Sequence, residues 1–289
     1  MRVILVPVAD RPECVVALDA AFALAQAMGA DVVGAHIRPE RRARARLPGA
    51  ILPLTIADDG DWPALSEKEA TRLSQSARAL FAKMAKAHGY ELAKKPAKDL
   101  SPVALWQERV GTPENVMPII GPLADMVVVS RPIEKAGGGR RARLFLTQAL
   151  LHAQRPVLVL PQKKTTSLGG HVAIAWNKSG EAARAVHAAL PILKVARAVT
   201  FLSIGREARP GPSAREMAHY LRHHGIAAGH LSLPDGAAGP DLVRLYRDAG
   251  ANLLVMGAYS RPRLAELIFG GATRHMLTRA NIPVLMLHS

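Results

Sequence analysis

The chain has 289 residues, 49% of them apolar, and a formal net charge of +15 at pH 7. That length suits two domains of about 140 residues each, and the apolar fraction lets each bury a core without disulfides or a structural metal. The sole cysteine, Cys14, excludes an internal disulfide and is typical of a reducing compartment. Because no signal-peptide pattern opens the chain and no apolar run approaches the ~20 residues of a spanning helix, we expect a cytoplasmic protein that does not enter a membrane.

The positive charge is spread over both halves of the chain. A basic surface attracts polyanions in general, such as nucleotides, nucleic acids and acidic lipid headgroups. A specific nucleic-acid binder usually adds a recognition motif or an aromatic platform, but aromatic residues make up only 4% of this sequence. We therefore expect no specific nucleic-acid partner, and any DNA binding should be weak and lost as salt rises.

The first half opens with an apolar strand at residues 4–8, after which helix and strand patterns alternate. Residues 38–66 show no periodicity and are predicted to be an insertion, with a basic run that is typical of a solvated segment (Arg41, Arg42, Arg44 and Arg46). A strand that begins near Ala124 and a final strand after Pro156 complete this half.

A stretch rich in Lys, Thr, Ser and Gly, residues 162–170, is predicted to be a linker. It divides the chain into a first copy, residues 1–162, and a second copy, residues 170–289. In the second copy we expect strands near 171–176, 197–204, 226–233, 251–257 and 282–287, and helices near 179–194, 212–224, 239–249 and 263–279.

The two copies repeat each other in sequence. Residues 124–160 align without a gap with residues 251–287 at an offset of 127, and the opening strands align at an offset of 168, which places Glu13 on Glu181. The difference between the offsets means that the first copy holds 41 extra residues between its first and fourth strands. An internal repeat of this kind predicts the same supersecondary order in both copies.

Continuous Val/Ile/Leu strands that alternate with helices predict a parallel sheet covered on both faces. Each copy should therefore be a five-stranded, doubly wound α/β unit of the Rossmann-like type. We expect two such parallel sheets related by a pseudo-two-fold axis, and one continuous sheet of mixed direction would contradict this expectation. Ligands of these sheets bind beyond the carboxyl ends of the strands, where the strand order reverses.

The loop after the fourth strand of the second copy carries the most informative residues. Gly257 ends that strand, Tyr259 and Ser260 follow, and nine residues separate Ser260 from a Gly-Gly-Ala-Thr turn at 270–273. Glycine lets a backbone approach a ligand closely, and such a turn presents N–H groups and a hydroxyl to phosphate oxygens. Glycine-rich turns also occur without any ligand, so the pattern alone leaves a structural role open.

Together with residues 173–186 (AIAWNKSGEAARAV), this loop resembles the universal stress protein family. The resemblance covers the whole second copy and, more faintly, the first. It implies the family's five-stranded fold, of the adenine nucleotide alpha hydrolase-like type, and contact between the fifth strands as in dimers of the family. ATP-binding members carry Gly-x-x-Gly, nine residues and Gly-Ser/Thr, so the resemblance implies an adenine nucleotide (ATP, ADP or AMP) as the ligand.

The motif is partly retained in the second copy. The resemblance places Gly257 and Gly270 on motif glycines, Ser260 where another glycine stands, and Gly271 where the Ser/Thr stands. Thr273, two positions further on, can still supply a hydroxyl.

Three other residues of the second copy belong to the expected nucleotide site. Asn177 stands where the ATP binders have a first-strand Asp; its amide can form hydrogen bonds but brings no charge. Trp176 precedes it and either stacks on a base or fills the cleft, with packing favoured because a Trp at a strand end usually lies in the core. Tyr259 lies in the motif loop and completes the set.

The first copy departs further from the motif. Ser130 and Ile133 replace the two glycines of Gly-x-x-Gly, Arg143 and Leu144 stand at the positions of Gly270 and Gly271, and Ala9 replaces the first-strand Asp. We expect the Arg and Leu side chains to intrude where phosphate would bind, so that this copy binds no nucleotide.

A metal site is the remaining alternative among the polar residues. His219 and His223 are four residues apart and can chelate, but no third ligand is evident, so a solvated helix face is favoured. We expect no metal site and no catalytic residue.

The expected function is that of a non-catalytic stress-response module with weak adenine-nucleotide binding in the second copy, an intramolecular pseudo-dimer that can also form a homodimer. An interaction or scaffold protein with both nucleotide sites degenerate, and an enzyme related to the nucleotide-hydrolysing proteins of this fold, are the alternatives.

Overall fold

In this computed structural model we describe residues 1–38, 66–132, 139–163, 168–205, 210–258 and 271–287, with only the backbone of 139–142. The basic run and nearly all of the predicted insertion lie outside these ranges. Within them, no helix combines the length and the apolar character that a membrane span requires.

Strands and helices alternate along both copies. The strands of the first copy are β1 (Val3–Pro7), β2 (Asp31–Arg38), β3 (Leu92–Ala93), β4 (Ala104–Val110), β5 (Met126–Ser130) and β6 (Val157–Leu160). Its helices are α1 (Pro12–Met28), α2 (Glu67–Ala87), α3 (Pro113–Ile120) and α4 (Gly139–His152), with a short 3-10 helix at Gly121–Leu123.

The second copy has the predicted sequence of elements. Its strands are β7 (His171–Ala175), β8 (Ala198–Ile204), β9 (Ala228–Leu233), β10 (Leu253–Gly257) and β11 (Val284–Leu287). Its helices are α5 (Gly180–Val195), α6 (Ala214–Arg222), α7 (Pro240–Asp248) and α8 (Gly271–Thr278). The strands lie within two residues of their expected limits at each end.

Both copies order their strands in the same way. The sheet runs β3-β4-β2-β1-β5-β6-β11-β10-β7-β8-β9, so each copy reads third, second, first, fourth, fifth, with the two-residue β3 added at one edge. All strand pairs within a copy are parallel. The doubly wound α/β architecture and the repeat are therefore confirmed.

The two copies do not form separate sheets, however. The fifth strands pair with each other antiparallel, with Leu285 opposite Leu158 and Met286 opposite Val157, so that one 11-stranded sheet of mixed direction spans the molecule. The expectation that no continuous mixed sheet would form is wrong. Each fifth strand is the bare edge of its own sheet, and two edges related by a two-fold axis can satisfy their N–H and C=O groups only by antiparallel pairing.

The junction of the two copies is buried on both faces of the sheet. Leu158 and Leu285 belong to a core cluster that also contains Phe22 of α1 and Trp176 at the end of β7. Val159 and Val284 belong to the cluster on the opposite face. Each cluster draws residues from both copies, so the apolar surface that stabilises one copy also stabilises the other.

We expect the two copies to unfold together because they share these cores. Leu158→Ala, at a side chain with 0% exposure, should destabilise the protein by about 2–5 kcal/mol. The loss should appear in the second copy, in urea unfolding followed by Trp176 fluorescence after Trp62 and Trp106 are changed to Phe. Leu123→Ala, at a site 68% exposed, is the control and should leave the transition unchanged. A Trp176 transition unmoved by Leu158→Ala would show that the copies unfold independently.

Candidate functional site

The second copy has its crevice where β7 and β10 lie side by side. β8 and β9 extend the sheet on one side of this pair and β11 on the other, so the strand order reverses here. Val255 pairs with Ile174, which brings the carboxyl ends of both strands to the same edge. This is the position at which open α/β sheets bind ligands.

The side chain of Trp176 packs in the core and does not face the crevice. It is 2% exposed, its ring meets that of Phe201 edge-on at 5.8 Å, and its indole N–H donates to the carbonyl of Pro212 at 3.0 Å. A buried indole with its N–H satisfied has no face left for a base. The packing role favoured by the sequence is therefore the one observed.

Asn177, the next residue, is exposed beyond the end of β7. Its Oδ1 accepts a hydrogen bond from the backbone N–H of Ser179 at 3.2 Å, and the Ser179 hydroxyl in turn accepts from the N–H of Ala182 at 3.1 Å. This pair of bonds orients Asn177 and caps α5 at its first turn. The amide group and the positive end of the helix dipole consequently lie in the same loop.

The close packing of α5 against β10 requires a glycine at residue 257. A Cβ built there would lie 2.6 Å from the N atom of Ala182 and from the Cβ of Glu181. The first turn of α5 therefore fills the space into which a side chain at residue 257 would extend. The glycine allows this close helix–strand approach, whatever it does for a ligand.

The rest of the motif is described only in part. Tyr259, Ser260 and Gly270 lie outside the described residues. Gly271 begins α8 and is exposed, and a Cβ built on it would meet no atom of the described residues within 4 Å. Thr273 is 5% exposed. The described residues therefore include two members of the proposed phosphate turn. Gly271 is exposed and Thr273 is buried.

In the first copy, Ser130 takes the place of Gly257, and its hydroxyl donates to the carbonyl of Pro161 at 3.1 Å. Arg143 is exposed and Leu144 is half-buried. The crevice at the ends of β1 and β5 is lined from α4 by the following residues, Phe145 and Leu146. Whether the exposed Arg143 side chain excludes phosphate from this crevice stays a prediction.

Arg131 connects the two copies, which sequence reasoning did not foresee. It is 7% exposed, and its Nη2 donates to the carbonyls of Met276 at 2.6 Å and Ile282 at 3.2 Å, both in the second copy. Burial lowers the pKa of its guanidinium to about 10, which still leaves it charged at neutral pH. This side chain fixes the end of α8 and the start of β11 to the first copy.

A cavity of about 40 Å³ opens at the carboxyl ends of β1 and β5 in the first copy. Glu13 and Cys14 of α1, Ala9 and Ser130 contribute to its wall. Burial raises the pKa of the Cys14 thiol to about 11, so it is a neutral thiol at pH 7. Sequence reasoning missed this cavity, although the exchange of Gly257 for Ser130 was a signal that the two crevices differ.

The histidine pair on α6 has no third ligand in the part of the chain that we describe. The rings of His219 and His223 lie 5.6 Å apart and nearly perpendicular. Among the described residues, no group of three or more His, Cys, Asp or Glu side chains is placed to hold a metal ion.

The packing of Gly257 gives a direct test of its role. Gly257→Ala should destabilise the protein by about 1–3 kcal/mol, because the added Cβ overlaps the backbone of α5. Gly271→Ala, with open space around its Cβ, is the matched control and should leave the free energy of unfolding nearly unchanged. Urea denaturation measures both, and equal stabilities of the two variants would contradict the packing role.

A comparison of the sequence and a comparison of the structure both find similarity to universal stress proteins. Residues 170–288 match the universal stress protein family, while no curated protein matches the sequence. A universal stress protein from Archaeoglobus fulgidus DSM 4304 is 14% identical, with a TM-score of 0.68 over 99% of this chain and 98% of that one. A functionally unknown protein from Pseudomonas aeruginosa PAO1 is 15% identical, with a TM-score of 0.56 over 100% and 92%.

The sequence match is confined to the second copy, and the structural likeness extends over both. At these identities the likeness establishes the fold alone, which is the tandem arrangement of two α/β copies described above. By sequence, the second copy is a universal stress protein domain, and over its full length the chain has the fold of a tandem universal stress protein.

Proposed function

We propose that the protein is a non-catalytic stress-response module that binds an adenine nucleotide weakly in its second copy. The observation that carries this proposal is the placement of Asn177, exposed and oriented by Ser179, at the end of β7 beside β10, where the strand order reverses. A ligand in this crevice meets the amide of Asn177 and the N-termini of α5 and α8. The first copy, with Ala9 and Ser130 at the corresponding positions, takes no nucleotide.

The phosphates of the nucleotide would lie toward the start of α8. Gly271 is the first residue of that helix, and no described residue lies within 4 Å of a Cβ built on it. Free N–H groups and the positive end of the dipole at a helix N-terminus favour an anion. The net charge of +15 adds a general attraction for polyphosphate.

The affinity should be low because the nucleoside end of the site is poor in charge and in aromatic surface. Asn177 offers a neutral amide where a carboxylate would make a charge-assisted bond, and such bonds are roughly twice as strong as neutral ones. Trp176 cannot stack on the base, since it is 2% exposed. The expected ligand is held mainly by backbone N–H groups and by Asn177.

A binding role is favoured over catalysis by the state of Glu181, the carboxylate at the start of α5. Partial burial acts to raise the pKa of this carboxyl, but hydrogen bonds from its own backbone N–H, from Ser179 and from Arg184 outweigh it and lower the pKa. Arg184 lies 3.2 Å from its Oε1. A carboxylate stabilised in this way is a weak base at neutral pH and does not readily activate a water molecule.

One observation favours the alternative, an interaction module with both nucleotide sites degenerate. Thr273, the hydroxyl expected at the phosphate turn, is 5% exposed, and Gly257 serves the packing of α5. If the alternative holds, the full-length protein binds none of ATP, ADP and AMP in calorimetry, and no nucleotide is released when freshly purified protein is denatured.

Two variants test the nucleotide site. Gly271→Leu copies Leu144 of the first copy into the open space at the start of α8, and should abolish ATP binding without unfolding the protein. Asn177→Asp should strengthen binding about tenfold, by adding one charge-assisted hydrogen bond to the nucleoside. Calorimetric titration of the full chain with ATP measures both.

The matched control is Asn115→Asp, the same chemical change at an exposed position of α3 in the first copy. It alters the net charge equally and should leave the affinity for ATP unchanged. Binding that survives Gly271→Leu unchanged would place the nucleotide elsewhere. An equal effect of the two Asn→Asp changes would mean that net charge, and not the position of residue 177, sets the affinity.

A further inference from the structure

The cavity of the first copy differs in chemistry from the crevice of the second. Its wall is largely apolar, with Val8, Ala17 and Val129 among its residues, and its charged residues are Arg11 and Glu13. A buried water needs roughly 10–15 Å³ of such space, so a cavity of about 40 Å³ holds a group of a few heavy atoms. This space is too small for a nucleotide base but sufficient for the head of a small molecule.

Ser130, at the position that corresponds to Gly257, lies in the wall of the cavity. In the second copy, Gly257 lets the first turn of α5 approach to a distance at which a Cβ would lie 2.6 Å from Ala182. Residues 13 and 14 of α1 correspond to Glu181 and Ala182 by the offset of 168. Ser130 carries a side chain where Gly257 has none, and it lines the cavity together with Glu13 and Cys14 of α1.

Glu13 gives this space a specific chemistry. The residue is 6% exposed, and its Oε1 forms an ion pair with Arg11, whose Nη1 lies 3.7 Å away. Its Oε2 is buried and has no hydrogen-bond partner among the described residues, while the ion pair with Arg11 compensates part of the charge. Buried carboxylate oxygens normally also accept hydrogen bonds, because one that accepts none loses its hydration without full compensation. An unpaired acceptor in the wall of an apolar cavity therefore indicates a ligand that donates.

We propose that the first copy binds a small primary amine in this cavity, with the ammonium group donating to Oε2 of Glu13 and the alkyl chain against the apolar wall. An ammonium supplies the charge-assisted hydrogen bond that a carboxylate favours and brings no acceptor to be satisfied. This site is separate from the nucleotide crevice of the second copy, and neither proposal depends on the other.

The test compares ligands of similar size and different charge on the unaltered full-length chain at pH 7. Propylammonium chloride should cause saturable amide shifts in NMR spectra, at Ala9, Cys14 and Ser130. Propan-1-ol, which donates without charge, should bind about tenfold more weakly, and propionate should not bind. Equal affinities for the amine and the alcohol, or no saturable shift with the amine, would overturn the proposal.

Glu13→Gln keeps the shape of the side chain and removes its charge, so it should weaken amine binding at least about tenfold. Glu181→Gln, the same change at the corresponding position of the second copy, is the matched control and should bind the amine as the unaltered protein does. Ala17→Val, which fills the cavity without touching the carboxylate, should also abolish binding. Amine binding that persists in both Glu13→Gln and Ala17→Val would refute the site.

Discussion

The antiparallel pairing of β6 with β11 is the constraint on which the rest of the structure depends. It joins two parallel sheets into one and reverses strand direction at their boundary. The carboxyl ends of the strands in the first copy consequently lie at the opposite edge of the sheet from those in the second. The cavity beside Glu13 and the crevice beside Asn177 are therefore far apart, and each copy can vary its site without disturbing the other.

Arg131 shows how the copies remain coupled despite this separation. It extends from the end of β5 and donates to carbonyls near the end of α8 and the start of β11. Its Nε and Nη1 are buried without a hydrogen-bond partner among the described residues, so its desolvation is only partly compensated. Burying a charge in this way favours a particular arrangement of the two copies more than it favours stability.

The sequence predicted the elements of the second copy well because their periodicities are strong and their limits are marked by local signals. Ser179 and Ser213, for instance, each accept a hydrogen bond from the helix that they cap. The resemblance implied contact between the fifth strands, but their hydrogen-bonded pairing into one sheet was not predicted, because hydrophobic periodicity does not specify how two edge strands meet. Contact between β6 and β11, which are distant in sequence, joins the two sheets into one.

The candidate site was predicted less well than the fold, since a motif position does not say which way a side chain or a neighbouring helix lies. Trp176 satisfied its indole N–H on Pro212, and Arg143 turned to the surface. The cavity beside Glu13 could not be inferred from either copy alone. It follows from the distance between a helix and a strand, and that distance is visible only in three dimensions.

One position explains much of the difference between the copies. At the end of the fourth strand of the second copy, Gly257 allows α5, the first helix of that copy, to pack closely against β10. The carboxylate of Glu181 lies near the surface with Arg184 beside it. Serine at the same position, Ser130, lines a cavity together with Glu13, which is 6% exposed. The two copies share one strand order but differ in the residues at this crevice, and each copy therefore offers a different ligand chemistry.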